Sequence, residues 1–131
     1  MAKRTKTASP TVEDAAEVIK RRLRSDLKSA MQARSKLGTS VLRAIIAALD
    51  DAQAVPAPDK HVRYAVHEFG DPATEVPRLL LSAQDVQKLL EREIQDRREA
   101  ADKFEQLGKV DRATELREAA SIVTRYLVRC A

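Results

Sequence analysis

Apolar residues recur at steps of three and four over four stretches of this 131-residue chain, which places them on one face of an α-helix in each stretch. Glycine (3 residues) and aromatic residues (3%) are rare, whereas β-sandwiches and barrels need many turns and many β-forming side chains. Hydrophobic residues make up 44% of the chain, enough for one buried core. The pattern predicts an all-α domain with four main helices.

The first two helices are predicted on either side of a break at residues 35–38. One spans about Thr11–Arg34 with Thr11 as its cap, and the other runs from Gly38 or Thr39 to Gln53. So short a connection folds the pair back into an antiparallel hairpin. The predicted core faces are Val12, Ala15, Ile19, Leu23, Leu27, Ala30 and Met31, then Val41, Leu42, Ile45, Ile46, Ala48 and Leu49.

A second antiparallel hairpin is predicted from Ser82 to the C-terminus. Ser82 caps the third helix, Asp85 completes a capping box, and Gly108 supplies the left-handed residue after Leu107. The fourth helix is predicted to start near Asp111, which acts as its cap. The predicted core faces are Val86, Leu90, Ile94, Arg97, Ala101, Phe104 and Leu107, then Ala113, Leu116, Ala120, Val123 and Leu127.

The rest of the chain differs in character. Residues 1–10 are expected to form a flexible basic tail, and residues 11–131 one helical domain. The two hairpins are joined by a long Pro-rich connection at 54–81, which holds four of the five prolines and both histidines. Because His61 and His67 lie six residues apart in that segment, the spacing does not fit a metal site, and we expect neither metal nor cofactor.

Charge is distributed unevenly. Residues 1–36 carry ten Lys or Arg and four Asp or Glu, and residues 37–131 carry fourteen and sixteen. Such a basic N-terminal part can contact RNA, an acidic partner or a membrane surface, or can serve only as a solvated tail. The candidate phosphate contacts form a rim of cations around Leu23. Alternatively, the same cations form only a solvated polar face whose long side chains cover the edge of the core. These residues are Lys20, Arg21, Arg22, Arg24 and Lys28.

Arg97 and Arg98 are secondary candidates for nucleic-acid binding. Arg97 falls on the apolar face of the third helix, where an unpaired charge is costly, and Glu93 lies one turn before it. Arg97 is therefore either half of a structural ion pair or a recognition residue facing a partner.

The sequence contains no set of residues arranged for catalysis. It has no Gly-rich phosphate loop, no nucleophile elbow, no zinc signature and no Ser/His/Asp set, which argues against an autonomous enzyme. The single cysteine, Cys130, fits a reducing compartment, no apolar run approaches the ~18 residues of a membrane span, and no secretory signal is present. We therefore expect a cytoplasmic protein that does not enter a membrane.

The stretch from Glu93 to Ala113 resembles the central signature of the YqeY-like family. The family's pattern is a pair of arginines, a small residue, an aromatic residue, and then Gly-basic-x-Asp-x-Ala. The matching residues here are Arg97, Arg98, Phe104, Gly108, Lys109, Asp111 and Ala113. The first hairpin and Tyr126-Leu127 also resemble the family, although Val128 stands where the family usually has proline.

The resemblance implies the family's N-terminal helical domain without the three-helix domain that follows it in the family. It also implies a relation to the tail of the GatB subunit of glutamine-dependent tRNA amidotransferase, a carbon–nitrogen ligase whose chemistry resides outside that tail. The expected function is a non-catalytic module whose partner is tRNA or an amidotransferase subunit. Two alternatives stay open: a protein-interaction or self-associating module without nucleic acid, and a free-standing amide ligase.

Overall fold

A computed structural model describes residues 14–54 and 78–130, with side chains in the last helix described as far as Leu127. Four helices make up almost all of this part, and the only β pairing within it is an isolated bridge between Ala54 and Arg78. The predicted all-α fold of two antiparallel hairpins is confirmed. The helices are α1 (Ala15–Gln32), α2 (Lys36–Gln53), α3 (Ala83–Gln106) and α4 (Val110–Cys130).

Some predictions fall on residues that the structure does not describe. These are the flexible tail at 1–10, the Thr11 cap, most of the Pro-rich connection, and the absence of a metal site at His61 and His67. Among the helices that are described, none is both long enough and apolar enough to cross a bilayer.

The first residues of the helices show which of the predicted N-terminal caps are present. The predicted capping box is present, because Ser82 Oγ accepts a hydrogen bond from the Asp85 N–H and Asp85 Oδ2 accepts one from the Ser82 N–H. Asp14 is the N-cap of α1, and Ser35 caps α2 by accepting from the Gly38 N–H. The predicted cap at Asp111 is wrong, because α4 begins at Val110 and Asp111 lies in its first turn.

Both hairpins turn through three residues with the same hydrogen-bond pattern. In the first, the N–H groups of Ser35 and Arg34 donate to the carbonyls of Ala30 and Met31. In the second, the N–H groups of Lys109 and Gly108 donate to Phe104 and Glu105. This is the Schellman pattern, and its left-handed position is held by Arg34 (φ 59°) in one turn and by Gly108 (φ 80°) in the other.

The core lies where the apolar faces of the four helices meet. The two helices of each hairpin pack against each other, and α2 makes the main contact between the hairpins by packing on α4 and α3. Met31 and Leu107 were predicted to lie in the core but are 49% and 70% exposed, because each lies at the end of its hairpin beyond the packed faces. The main buried side chains are Ile19, Leu23, Val41, Leu42, Ile45, Leu49, Val86, Leu90, Ile94, Val123 and Tyr126.

Candidate functional site

Lys20 is buried and does not belong to an exposed basic rim. Its side chain has no exposed surface, and its Nζ lies 3.0 Å from Glu17 Oε2 and 2.6 Å from Asp50 Oδ1. Lys20 sits on the core face of α1 because it is four residues after Ala16 and three before Leu23, both of which are fully buried. Two carboxylates already neutralise this cation, so the predicted placement of Lys20 on the rim is wrong.

Further polar contacts surround Glu17 at the same end of the first hairpin. Gln53 Nε2 donates to Asp14 Oδ2 at 2.6 Å and to Glu17 Oε2 at 3.2 Å, and Arg78 Nη1 lies 3.2 Å from Glu17 Oε2. The hydrogen bond from Lys20 is the largest cause that lowers the pKa of Glu17, and the hydrogen bond from Gln53 and the charges of Lys20 and Arg78 lower it further. Four carboxylates of the first hairpin gather at this end: Asp14, Glu17, Asp50 and Asp51.

Arg21, Arg24 and Lys28 form an outer stripe on α1. Their spacing of three and four residues places them on one face of the helix, and all three are exposed. Arg24 and Lys28 make no ion pair with any residue in the described part of the chain. The outer stripe contains three of the four exposed residues of the predicted rim, and the fourth is Arg22.

Arg22 lies on the opposite flank of α1 and lines a cleft of about 520 Å³ between α1, α2 and α4. Asp26 and Ser29 follow it at helical spacing, and α4 contributes Arg125 and Tyr126. The Tyr126 hydroxyl donates a short hydrogen bond to Asp26 Oδ2, which links α4 to α1. Burial, followed by the hydrogen bond to Asp26, raises the pKa of Tyr126 well above its usual value.

A shallow groove of about 690 Å³ lies at the turn between α1 and α2, and we call it the hairpin-end groove. Three cations from this turn and from α2 line it, and none of them was singled out from the sequence. The signal that could have identified them is the charge of residues 21–49, which contain seven Lys or Arg and a single carboxylate, Asp26. The groove is lined by Met31, Arg34, Ser35, Lys36, Thr39, Ser40 and Arg43.

Arg97 and Arg98 lie on the second hairpin and have different surroundings. Arg97 is 17% exposed, and its Nη1 donates to Glu93 Oε1 at 2.7 Å and to the Glu93 carbonyl at 3.0 Å. Arg98 is exposed and lines a separate groove of about 230 Å³ between α3 and α4. The structure therefore places Arg97 in the predicted ion pair and does not join either arginine to the outer stripe.

The second hairpin also contains ion pairs at its surface. Arg117 Nη2 lies 2.8 Å from Asp102 Oδ1 and 2.6 Å from Glu105 Oε1, so two carboxylates bind it. Between residues 83 and 127 there are nine Lys or Arg and ten Asp or Glu. Among the residues that the structure describes, no group of three or more His, Cys, Asp or Glu is placed to hold a metal ion.

Comparison with known proteins places the chain in a protein family. The family model described as Yqey-like protein matches residues 20–129, which is most of the chain and includes all four helices in large part. No curated protein and no solved structure matches the chain.

Proposed function

This chain belongs to the Yqey-like family, and we propose that it is a non-catalytic helical module that binds tRNA, as an accessory to glutamine-dependent tRNA amidotransferase. The family resemblance supports the link to amidation. The link to RNA is supported by the charge distribution of the first hairpin.

The observation that carries the proposal is the segregation of charge between the two hairpins. Residues 21–49 hold seven cations and one carboxylate, and that carboxylate, Asp26, accepts the hydrogen bond from Tyr126. On the second hairpin the two signs are nearly equal in number, and cations such as Arg97 and Arg117 are bound by carboxylates. Residues 21–49 of the first hairpin therefore present positive charge to solvent, away from the four carboxylates at its other end, whereas the second hairpin presents a mixed surface.

A polyanion gains affinity from cations that are not already neutralised. When such side chains neutralise phosphates, condensed counterions are released, so binding is strong at low salt and weakens steeply as salt is added. Arg24 and Lys28 meet this requirement because both are exposed and neither makes an ion pair with a residue in the described part of the chain. We expect Arg24 and Lys28 to contact RNA phosphates and Arg21 to add to the same positive surface.

Fluorescence anisotropy with labelled tRNA between 50 and 300 mM salt tests the proposal. We expect the charge reversal Arg24→Glu with Lys28→Glu to weaken binding by more than tenfold at the lowest salt. The matched control is Lys88→Glu with Arg92→Glu, which reverses two exposed cations at the same i, i+4 spacing on the second hairpin. The proposal fails when tRNA does not bind at 50 mM salt, or when both double variants weaken binding equally.

A specific observation favours the alternative of self-association. Leu107 and Val110, at the turn between α3 and α4, are 70% and 60% exposed, and two such apolar side chains at one tip can pack against a second copy. Light scattering over a hundredfold range of concentration tests this. A mass that rises with concentration in the wild type and stays monomeric in Leu107→Ser with Val110→Ser supports it, and a constant monomer mass excludes it.

A further inference from the structure

The hairpin-end groove concentrates positive charge that no described residue neutralises. Arg34, Lys36 and Arg43 line it, and no carboxylate is among its lining residues. None of the three makes an ion pair within the described part of the chain. Within the described residues, the only contact of their charged groups is the one from Arg43 Nη2 to the sulfur of Met31 at 3.9 Å, which leaves the charge of Arg43 unbalanced.

Two hydroxyl groups in the groove also lack a hydrogen-bond partner in the described residues. Elsewhere in the protein, the hydroxyls of Thr114 and Thr124 donate to the carbonyl one turn before them in the helix. Thr39 and Ser40 do not, although both lie on α2. Their hydroxyls are therefore available to a ligand, unlike that of Ser35, which is occupied in capping α2.

Arg34 occupies a backbone position that disfavours its side chain. At the equivalent position of the second hairpin the chain has Gly108, which adopts the left-handed conformation without strain. An arginine there is less favourable for folding, so the turn itself does not require it. The Arg34 side chain lines the groove, and this gives the residue a role that glycine could not fill.

We propose that the hairpin-end groove binds a phosphomonoester, with Arg34, Lys36 and Arg43 as its cationic partners and Thr39 and Ser40 as hydroxyl donors. A phosphomonoester carries a charge of about −1.5 to −2 at pH 7, so a site with three unbalanced cations favours it over a singly charged phosphodiester. The 5′-phosphate of an RNA and a free mononucleotide share this chemistry. The RNA source rests on the proposed function, and the mononucleotide source does not.

The first experiment compares a short RNA hairpin with a 5′-phosphate against the same RNA with a 5′-hydroxyl. We expect the wild type to bind the phosphorylated RNA about fivefold to tenfold more tightly. Arg34→Gly and Arg43→Gln should each bring this ratio close to one, whereas the control Arg92→Gln, an exposed arginine on α3, should leave it unchanged. Arg34→Gly is informative because it retains the turn and removes only the side chain, which a melting curve verifies.

A second experiment separates this proposal from the function of the whole protein. AMP and adenosine are titrated into the full chain while the backbone amide signals of Thr39 and Ser40 are followed by NMR. Shifts with AMP and none with adenosine support phosphomonoester binding in the groove even when no RNA binds. The proposal is overturned when the wild type does not distinguish the two RNAs and millimolar AMP leaves both signals in place, or when Arg34→Gly and Arg43→Gln weaken both RNAs to the same extent.

Discussion

Lys20 Nζ lies 2.6 Å from Asp50 Oδ1, and this ion pair joins α1 to α2 beneath the surface of the first hairpin. The lysine is fully buried, whereas both of its carboxylate partners, Asp50 and Glu17, keep part of their surface in water. The cost of burying the ammonium group is thus offset by two nearby negative charges. The pair is a structural feature of the hairpin and removes one cation from its surface.

The variant Lys20→Met should lower stability without changing RNA binding. Methionine keeps the apolar stem in the core but leaves two carboxylates without their cation, and because these are partly solvated we expect a loss of about 1–2 kcal/mol in the free energy of unfolding. Urea denaturation measures this. Tenfold weaker tRNA binding by a folded Lys20→Met protein would contradict the assignment, since the buried ammonium cannot reach a phosphate.

Glu17 should make the stability of the protein depend on pH in the acid range. Its folded-state pKa lies below the usual 4.5, chiefly because Lys20 donates to it. The stabilisation is therefore fully present above pH 4.5 and is lost as the pH falls through the folded-state pKa. Wild type and Glu17→Gln should differ in urea denaturation at pH 6 by an amount that shrinks below pH 4.5. The exposed Glu118→Gln serves as the control, and a difference that grows in acid would refute the direction of the shift.

The Arg34→Gly variant should be more stable than the wild type. The left-handed conformation costs a side-chain-bearing residue about 1–2 kcal/mol, so removing the side chain stabilises the turn by that amount. Glycine loses more conformational entropy on folding, which offsets about 0.5–1 kcal/mol of this gain. We expect a net gain of about 0.5–1 kcal/mol, measured by chemical denaturation. The reciprocal change, Gly108→Ala, should destabilise by about 1 kcal/mol, and no atom lies close enough for the added methyl group to clash. Equal stability of all three proteins would show that the left-handed position carries no strain.

Tyr126→Phe should remove the link between α4 and α1 at the cleft. The lost hydrogen bond to a carboxylate predicts a destabilisation of about 1.5 kcal/mol, constant between pH 6 and 9 because the raised pKa keeps the phenol protonated there. This stabilisation is present below the usual tyrosine pKa and is lost only as the pH rises through the higher folded-state pKa. Denaturation at several pH values measures the first effect. The absorbance difference at 295 nm between the two proteins reports ionisation of Tyr126, and its appearance near pH 9 would contradict the shift.

The sequence predicted those features that depend on neighbouring residues. The capping box at Ser82 follows from the spacing of Ser82 and Asp85, and the left-handed turn follows from Gly108 after a predicted helix. The core positions of Leu23 and Leu90 follow from the helical repeat, which gives the direction of each side chain relative to its neighbours. Asp111 was misplaced as a cap because an acidic residue is also favourable inside the first turn, where it faces the helix dipole.

The remaining features depend on how two helices are aligned. Lys20 occupies a core-facing position in the helical repeat, so its burial could have been predicted from the spacing. Its partner Asp50 lies thirty residues away on another helix, and no spacing indicates that contact. The hairpin-end groove requires that Arg34 in the turn and Arg43 on α2 line the same surface. Tyr126 and Asp26 are one hundred residues apart and meet only after the two hairpins pack. None of these distances is encoded in local periodicity.

The salt dependence of tRNA binding should distinguish cations that contact phosphate from cations that serve the fold. Each phosphate contact adds about one unit to the slope of log affinity against log salt. Arg24→Gln and Lys28→Gln should each reduce the steepness of this slope by about one unit. Arg97→Gln should leave the slope unchanged and instead lower stability, because Arg97 is engaged with Glu93. Anisotropy titrations at four salt concentrations give the slopes. If all three variants keep the slope of the wild type, the outer stripe does not contact the phosphates. A slope shallower than that of the wild type for Arg97→Gln would place the RNA interface on the second hairpin.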